Sequence, residues 1–162
     1  MADLPFPTRQ LYYSGSRQAA TSSQTFLTID PSTSLPHAQV QTASAADVDS
    51  AVESAKAAFP SWSRTPALVR SQILLRAVAL LRERNDEIAA IETQDSGKPF
   101  SETSTVDVIT GADVLEYYAN YVASGGLNGE TIRLREDAWV YTTKDALGVC
   151  AGIGAWNYPL QI

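Results

Sequence analysis

The length, composition and charge of the chain exclude several classes of protein. With 162 residues, 44% of them hydrophobic and 19% charged, the chain is long enough and apolar enough to fold around a core rather than remain disordered. A net charge of −6 argues against nucleic acid as a partner, and no apolar stretch approaches the roughly 18 residues needed to cross a bilayer. The first residues lack the features of a signal peptide, and a single cysteine, Cys150, allows no intrachain disulfide. We therefore expect a cytoplasmic protein.

The first forty residues predict short strands. Aromatic and β-branched residues recur at 11–13, 25–29 and 39–42, and Gly-, Ser- and Pro-containing turns separate these runs. This spacing predicts a hairpin or a small antiparallel ribbon.

From Ser44 onward the apolar residues recur at helical spacing. Ser44 and Asp47 form the sequence pattern of a capping box, and Pro60 is expected to end this first helix. A second helix is predicted to begin with Thr65 as its N-cap and Pro66 at its first position. A third runs from residue 85 to a stop at Gly97, and a fourth covers residues 101–123.

After the helices the chain becomes extended. Residues 131–134 and 139–143 alternate as half-exposed strands do, whereas residues 147–153 form a continuous apolar run that predicts a buried parallel strand. Cys150 lies in this run, so we interpret it as an inert buried thiol. Because the chain ends inside its most hydrophobic segment, we expect it to be the front part of a larger α/β protein, truncated within its central sheet.

A short polar and glycine-containing segment follows the predicted strand. Residues 152–154 read Gly-Ile-Gly at a place where nucleotide-binding turns occur, but the third glycine of the dinucleotide fingerprint is replaced by Asn157. An ordinary turn explains the two glycines equally well. The side-chain amide of Asn157 is a neutral donor suited to a developing oxyanion, although asparagine is also common in turns before a Tyr-Pro pair.

Three other features suggest chemistry more weakly. His37 stands alone in a turn-rich stretch, so neither a base nor a metal role is predicted for it. Residues 96–98 (Ser-Gly-Lys) lack the upstream glycine of a phosphate-binding loop. Asp95 lies at a helix C-terminus, where the helix dipole disfavours a carboxylate, which suggests either a nearby cation or a solvated surface residue.

Two long motifs in the correct order carry a family resemblance. Residues 92–99 (ETQDSGKP) and residues 147–159 (LGVCAGIGAWNYP) strongly resemble the aldehyde dehydrogenase superfamily, and the second motif is most similar to its betaine-aldehyde and trimethylaminobutyraldehyde branch. The resemblance extends from residue 26 to residue 162 and implies the front third of a family member. It implies an α/β fold with a β-hairpin, helices, an assembly ribbon and the first strand of a Rossmann-like parallel sheet.

The resemblance also implies roles for individual residues. Asn157 matches the catalytic asparagine that helps to hold the oxyanion when a cysteine attacks the aldehyde. The cofactor-binding positions, which lie along NAD or NADP, match Ile153, Gly154, Ala155, Trp156 and Asn157. The nucleophilic cysteine, the glutamate base and the lysine that contacts the cofactor ribose have no counterpart in residues 1–162, so we expect the chain to be inactive alone.

A monovalent cation, K⁺ or Na⁺, is the second group that the resemblance implies. Thr28, Ile29 and Asp95 match positions that bind it, partly through backbone carbonyls. Asp30 stands where the family commonly has asparagine, which leaves the backbone ligands in place.

The resemblance divides the chain into three parts and leaves two functions open. We expect residues 1–134 to belong to the NAD(P)-binding domain, residues 135–146 to form the assembly ribbon of a homo-oligomer (a dimer or tetramer), and residues 147–162 to start the Rossmann-like sheet. The predicted function is NAD(P)-dependent oxidation of a small-molecule aldehyde, in particular a quaternary-ammonium aldehyde, to the carboxylic acid. The alternative is a non-catalytic assembly module. Three aromatic residues are candidates either for the substrate cage or for core packing: Tyr117, Tyr118 and Trp156.

Overall fold

Short antiparallel hairpins flank a group of helices in this protein. The computed structural model describes residue 4 and residues 6–162, so residues 1–3 and 5 of the predicted N-terminal unit lie outside the described residues. The strands of the described chain are β1 (Leu11–Tyr13), β2 (Ser16–Gln18), β3 (Thr25–Asp30), β4 (Leu35–Gln41), β5 (Thr131–Arg135) and β6 (Ala138–Tyr141). Its helices are α1 (Ala45–Trp62), α2 (Ala67–Glu83), α3 (Asn85–Ser96), α4 (Phe100–Glu102) and α5 (Val108–Ala123). The predicted mixed α/β class is confirmed.

The strands pair as three separate two-stranded hairpins, β1–β2, β3–β4 and β5–β6. In the second hairpin Thr28 lies opposite Ala38 and Ile29 opposite Pro36, so His37 is an extra residue on β4. Such a β-bulge bends its strand and redirects a side chain, and here the His37 residue is only 7% exposed. The sequence predicted β1, β3 and part of β4 but missed β2.

Helix α1 begins as its sequence predicts and ends later. The hydroxyl of Ser44 accepts from the Asp47 N–H at 3.3 Å, and the Asp47 carboxylate accepts from the Ser44 N–H at 2.8 Å, which is a complete capping box. The expectation that Pro60 ends this helix is wrong, because Pro60 lies inside it. A proline removes one backbone donor, and the next bond, from Ser63 N–H to the Phe59 carbonyl, still forms at 2.9 Å.

The packed centre of the helical part lies between α2 and α5. Small side chains on α5 allow the helices to approach, and Arg82 of α2 bridges Asp113 and Glu116 of α5 at 2.8 and 2.6 Å. Helix α2 begins one residue later than predicted, with Pro66 in the N-cap position and no side-chain cap. None of the described helices is long and apolar enough to cross a membrane. The buried apolar residues of these helices and their neighbour α3 are Val78, Ala89, Val108, Ala112 and Ala119.

The end of α3 touches the β3–β4 turn. Gly97 adopts a left-handed conformation, with φ of 78°, and its N–H donates to the Thr93 carbonyl, so it ends α3 as predicted. A Cβ at this position would lie 2.7 Å from Cγ of Pro31. The glycine therefore serves both the helix stop and the close approach of the turn.

The predicted fourth helix, 101–123, is interrupted by a wider turn. A π-helical turn, Thr103–Asp107, separates α4 from α5. Thr103 and Asp107 are both fully buried. π-helical turns are frequent at functional sites, and this one places a carboxylate in the interior.

The predicted parallel strand at residues 147–153 is wrong for this structure. The segment has no strand hydrogen bonds, Leu147 is 94% exposed, and Cys150 is exposed instead of buried. A parallel strand exists only through bonds to neighbouring strands, and each sheet in the described chain is a two-stranded hairpin of other residues. The two strands predicted before it are present as β5 and β6.

Candidate functional site

The residues predicted to lie along the cofactor form an open segment. Residues 153–157 are in no helix or strand, and the side chains of Ile153 and Trp156 are exposed. Asn157, the predicted oxyanion donor, is also exposed, so its amide is accessible to a ligand. The aromatic candidates Tyr117 and Tyr118 are exposed as well and pack edge to face, with centroids 5.2 Å apart. Core packing, the alternative for Tyr117, Tyr118 and Trp156, is therefore wrong in this structure.

Immediately after Asn157 the chain again contacts the rest of the protein. The ring of Tyr158 lies against the ammonium of Lys98, whose Nζ is 3.4 Å from the ring centroid. Leu160 lies beside Gly111 on α5, where an added Cβ would be 3.5 Å from its Cγ, and the Thr110 hydroxyl donates to Oε1 of Gln161 at 3.3 Å. A turn closes between Ile162 N–H and the Tyr158 carbonyl at 3.1 Å. The open segment thus precedes an anchored turn.

Two buried carboxyl groups lie behind this turn. Glu92 on α3 is 4% exposed, and neither of its carboxyl oxygens has a hydrogen-bond partner among the described residues. Burial, followed by the neighbouring Asp107 carboxylate, raises the pKa of Glu92 to about 7. Burial by itself would also raise the pKa of Asp107, but the Lys98 ammonium, 2.7 Å from Oδ2, together with Tyr158 and Glu92, holds that pKa below its ordinary value. One acid is therefore ionised and paired at neutral pH, while the other is close to half protonated.

The predicted cation ligands lie around a neighbouring cavity. Thr28 and Asp95 both line this space of about 350 Å³, and Ile29 follows Thr28 on β3. The bulged His37 lines it too, with Nε2 3.5 Å from Oδ1 of Asp95. The structure therefore brings Thr28 and Asp95 to one cavity, whereas Ile29 is not among its described lining residues.

These residues fit a monovalent cation better than a transition metal. Among the described residues, no three His, Cys, Asp or Glu side chains are grouped as metal ligands. The ligands that the resemblance implies, backbone carbonyls and the Asp95 carboxylate, are oxygen donors, which hard cations prefer. Pro36, opposite Ile29, has no N–H to donate to the facing strand, which is compatible with a carbonyl that serves a ligand instead.

Sequence reasoning missed four residues of this region: His37, Glu92, Lys98 and Asp107. His37 is buried only because of a bulge that depends on strand register, and its ring also packs edge to face on Phe6. Glu92 and Asp107 lie on different helical segments, so no local pattern joins them. The available signal was the motif at residues 92–99, which contains both Glu92 and Lys98 but assigns neither of them a role.

The comparison with known families decides the assignment. The profile of the aldehyde dehydrogenase family matches residues 18–162, which is most of the chain. The chain belongs to the aldehyde dehydrogenase family.

Solved structures of aldehyde dehydrogenases share the fold. A mutant of the P. syringae indole-3-acetaldehyde dehydrogenase in complex with NAD⁺ and IAA is 36% identical, with a TM-score of 0.86, and the match covers 93% of this chain and 30% of that one. The aldehyde dehydrogenase KauB from Pseudomonas aeruginosa is 32% identical, with a TM-score of 0.88 and coverage of 94% and 31%. Another indole-3-acetaldehyde dehydrogenase, complexed with NAD⁺, is 35% identical, with a TM-score of 0.87 and coverage of 94% and 31%. The chain spans about a third of the length of these aldehyde dehydrogenases.

Proposed function

We propose that this chain provides the N-terminal part of an NAD(P)-dependent aldehyde dehydrogenase, in which Asn157 stabilises the oxyanion of the reacting aldehyde. The observation that carries the proposal is the open segment 153–157, which ends in an accessible amide donor and is followed by an anchored turn. When a nucleophile adds to the aldehyde carbon, the carbonyl oxygen gains negative charge. A fixed N–H donor directed at that oxygen is a main source of transition-state stabilisation.

The bound nicotinamide cofactor supplies a hydride acceptor for the oxidation. The residues of this chain that would contact it are Ile153, Gly154, Ala155, Trp156 and Asn157. Their exposure and the family membership support this role. We propose either NAD or NADP as the cofactor, because no residue of the open segment carries the charge that separates the two.

The test of the oxyanion role is the Asn157→Ala substitution in a family-length protein that carries this chain. We expect kcat to fall about 10²–10³-fold, as it does when one oxyanion donor is removed. The matched control is Asn120→Ala, since Asn120 is an exposed asparagine on α5. Equal turnover of the Asn157→Ala and Asn120→Ala proteins would refute the assignment.

We also propose that the 162-residue chain alone does not oxidise aldehydes, because the only cysteine in its sequence, Cys150, is not the one that the resemblance identifies as the nucleophile. The measurement is the appearance of reduced nicotinamide with the purified chain and an aldehyde. Any cofactor-dependent oxidation above that of a heat-denatured sample would contradict this proposal.

For the complete enzyme we propose a quaternary-ammonium aldehyde, in particular betaine aldehyde, as substrate. The similarity of residues 147–159 to that branch supports the choice, as do three exposed aromatic side chains of the kind that attract such cations, Tyr117, Tyr118 and Trp156. Comparing kcat/KM for betaine aldehyde with that for indole-3-acetaldehyde tests it. A preference for the indole substrate would reject the proposal.

Thr28, Ile29 and Asp95 are proposed as a K⁺ or Na⁺ site. Thr28 and Asp95 line one cavity with oxygen-bearing groups, which supports this role. Thermal unfolding in K⁺ or Na⁺, compared with a bulky organic cation at equal ionic strength, measures the effect. Equal midpoints in all three salts would contradict the site.

The second candidate function is an assembly module, favoured by the β5–β6 hairpin. Every residue of β5 is exposed, and the side chains of Leu134, Trp139 and Tyr141 are exposed and apolar. A hairpin with free edges and apolar faces is suited to pairing with another subunit. We propose that residues 135–146 contribute to a homo-oligomer, a dimer or tetramer, in the cytoplasm. Co-purification of the chain with a family-length protein, and its loss on Trp139→Glu, tests this role.

A further inference from the structure

One ammonium group contacts both the turn that carries Asn157 and the π-helical turn. Lys98 follows α3, and its Nζ contacts both the ring of Tyr158, at 3.4 Å from the centroid, and Oδ2 of Asp107, at 2.7 Å. The Lys98 side chain is only 18% exposed, so both contacts are shielded from water. Cation–π and ion-pair contacts are stronger when they are desolvated.

Lys98 itself has little freedom to leave this position. Its backbone N–H donates to Oγ of Ser96, and its partner Asp107 lies fully buried in the π-helical turn. Withdrawing the ammonium would leave a buried carboxylate without a counter-charge, which is strongly unfavourable. Asp107 in turn raises the pKa of the Tyr158 hydroxyl, so that hydroxyl remains protonated beside the carboxylate. The three side chains form one fixed unit.

Asn157 is followed directly by Tyr158, which belongs to this unit, whereas the residues before Asn157 do not. On its N-terminal side, residues 147–154 are exposed apart from a partly covered Gly148 and form no helix or strand. On the other side, Tyr158 is followed by Leu160, which lies beside Gly111 of α5, and by Gln161, which accepts from the Thr110 hydroxyl. The position of the Asn157 side chain is therefore set from Tyr158 rather than from the preceding segment.

We propose that Lys98 is a positioning residue for Asn157 and acts through the ring of Tyr158. The inference rests on the proposed function, because the position of Asn157 affects turnover only if Asn157 contacts the reacting oxygen. Lys98 contacts the ring of Tyr158 and, in this proposal, acts on geometry alone. A misplacement of about 1 Å costs up to about 100-fold in rate, so the turn has to be held.

The first experiment measures the order of the turn in this chain by backbone NMR relaxation. Tyr158→Leu removes the ring and keeps the Lys98–Asp107 pair, so it separates positioning from folding. Lys98→Met removes the ammonium and Lys98→Arg restores a cation. Lys56→Met is the matched control, because Lys56 forms an exposed salt bridge with Glu53 on the same helix, α1.

We expect the order parameters of residues 157–161 to fall from about 0.85 to below about 0.6 in Tyr158→Leu and Lys98→Met, while α2 and α5 stay unchanged. Lys98→Arg and Lys56→Met should match the wild type. An ordered turn in Tyr158→Leu would overturn the inference. It would do so whether or not Asn157→Ala lowers kcat.

The second experiment measures turnover in a family-length protein that carries this chain. We expect Tyr158→Leu to lower kcat about 10- to 100-fold with the aldehyde KM unchanged, and Lys98→Arg to retain more activity than Lys98→Met. A loosened turn with unchanged kcat would overturn the inference. Failure of the proposed function is separately visible, because then Asn157→Ala would leave kcat unchanged even though the turn loosens.

Discussion

Replacing the buried Glu92 by glutamine should remove a loss in the free energy of unfolding that grows as the pH rises. Glu92 is 4% exposed, and within the part of the chain that the structure describes its carboxyl oxygens have no hydrogen-bond partner. Burial, followed by the Asp107 carboxylate, raises the pKa of Glu92 from 4.5 to about 7 in the folded protein. Glutamine keeps the shape of the side chain and stays neutral at every pH, so Glu92→Gln isolates the effect of the charge.

The sign follows from which state holds the proton. Between pH 4.5 and about 7 the folded chain keeps the Glu92 proton that the unfolded chain has released. The free energy of unfolding therefore falls as the pH rises through this window. A pKa change of this size corresponds to roughly 3 kcal/mol, which we take as an upper bound on the loss. Asp107 has the opposite shift and acts at lower pH, because its pKa lies below the ordinary value.

The assay is urea unfolding of the wild type and of Glu92→Gln at pH 5 and pH 8. We expect the two proteins to have similar stability at pH 5, and the glutamine variant to be more stable at pH 8 by up to about 3 kcal/mol with an unchanged m-value. Glu130→Gln is the matched control, because Glu130 is exposed. A difference between Glu92→Gln and the wild type that is the same at both pH values would refute the reasoning.

Two further stability predictions concern the ends of helices. Ser44→Ala removes the hydroxyl that accepts from the Asp47 N–H, and we expect it to lower the free energy of unfolding by about 1 kcal/mol, measured by urea unfolding; an unchanged midpoint would contradict the role of the cap. Gly97→Ala and Gly15→Ala both place a side chain at positive φ, at a cost of about 1–2 kcal/mol, but only Gly97→Ala also meets Pro31, at 2.7 Å. We expect Gly97→Ala to lower the thermal midpoint more than Gly15→Ala, and equal midpoints would show that the contact does not matter.

Local sequence signals predicted the elements that depend on neighbouring residues. The capping box at Ser44 and Asp47 and the glycine stop at Gly97 each involve groups within a few residues, so the sequence contains the whole interaction. The same holds for the hairpin strands β5 and β6, which need only each other. The error at Pro60 came from treating a lost hydrogen bond as the end of a helix.

Interactions between distant residues set the limit of prediction. The apolar run 147–153 has the composition of a buried strand, but a strand also requires a partner, and composition cannot provide one. For the site, the family resemblance predicted roles for Asn157, Thr28 and Asp95, and the structure brings the last two to one cavity. The Lys98–Asp107 pair depends on the packing of the π-helical turn against the end of α3. No periodicity in the sequence predicts that packing.

The bulge at His37 has a consequence for insertions and deletions in this hairpin. Since His37 is the residue that β3 leaves unmatched, removing its codon would leave the cross-strand partners on either side in register. A relative lacking one residue here would keep an intact ladder, yet it would have no imidazole beside Asp95. The imidazole can thus be gained or lost in a single genetic step that leaves the hairpin itself unchanged.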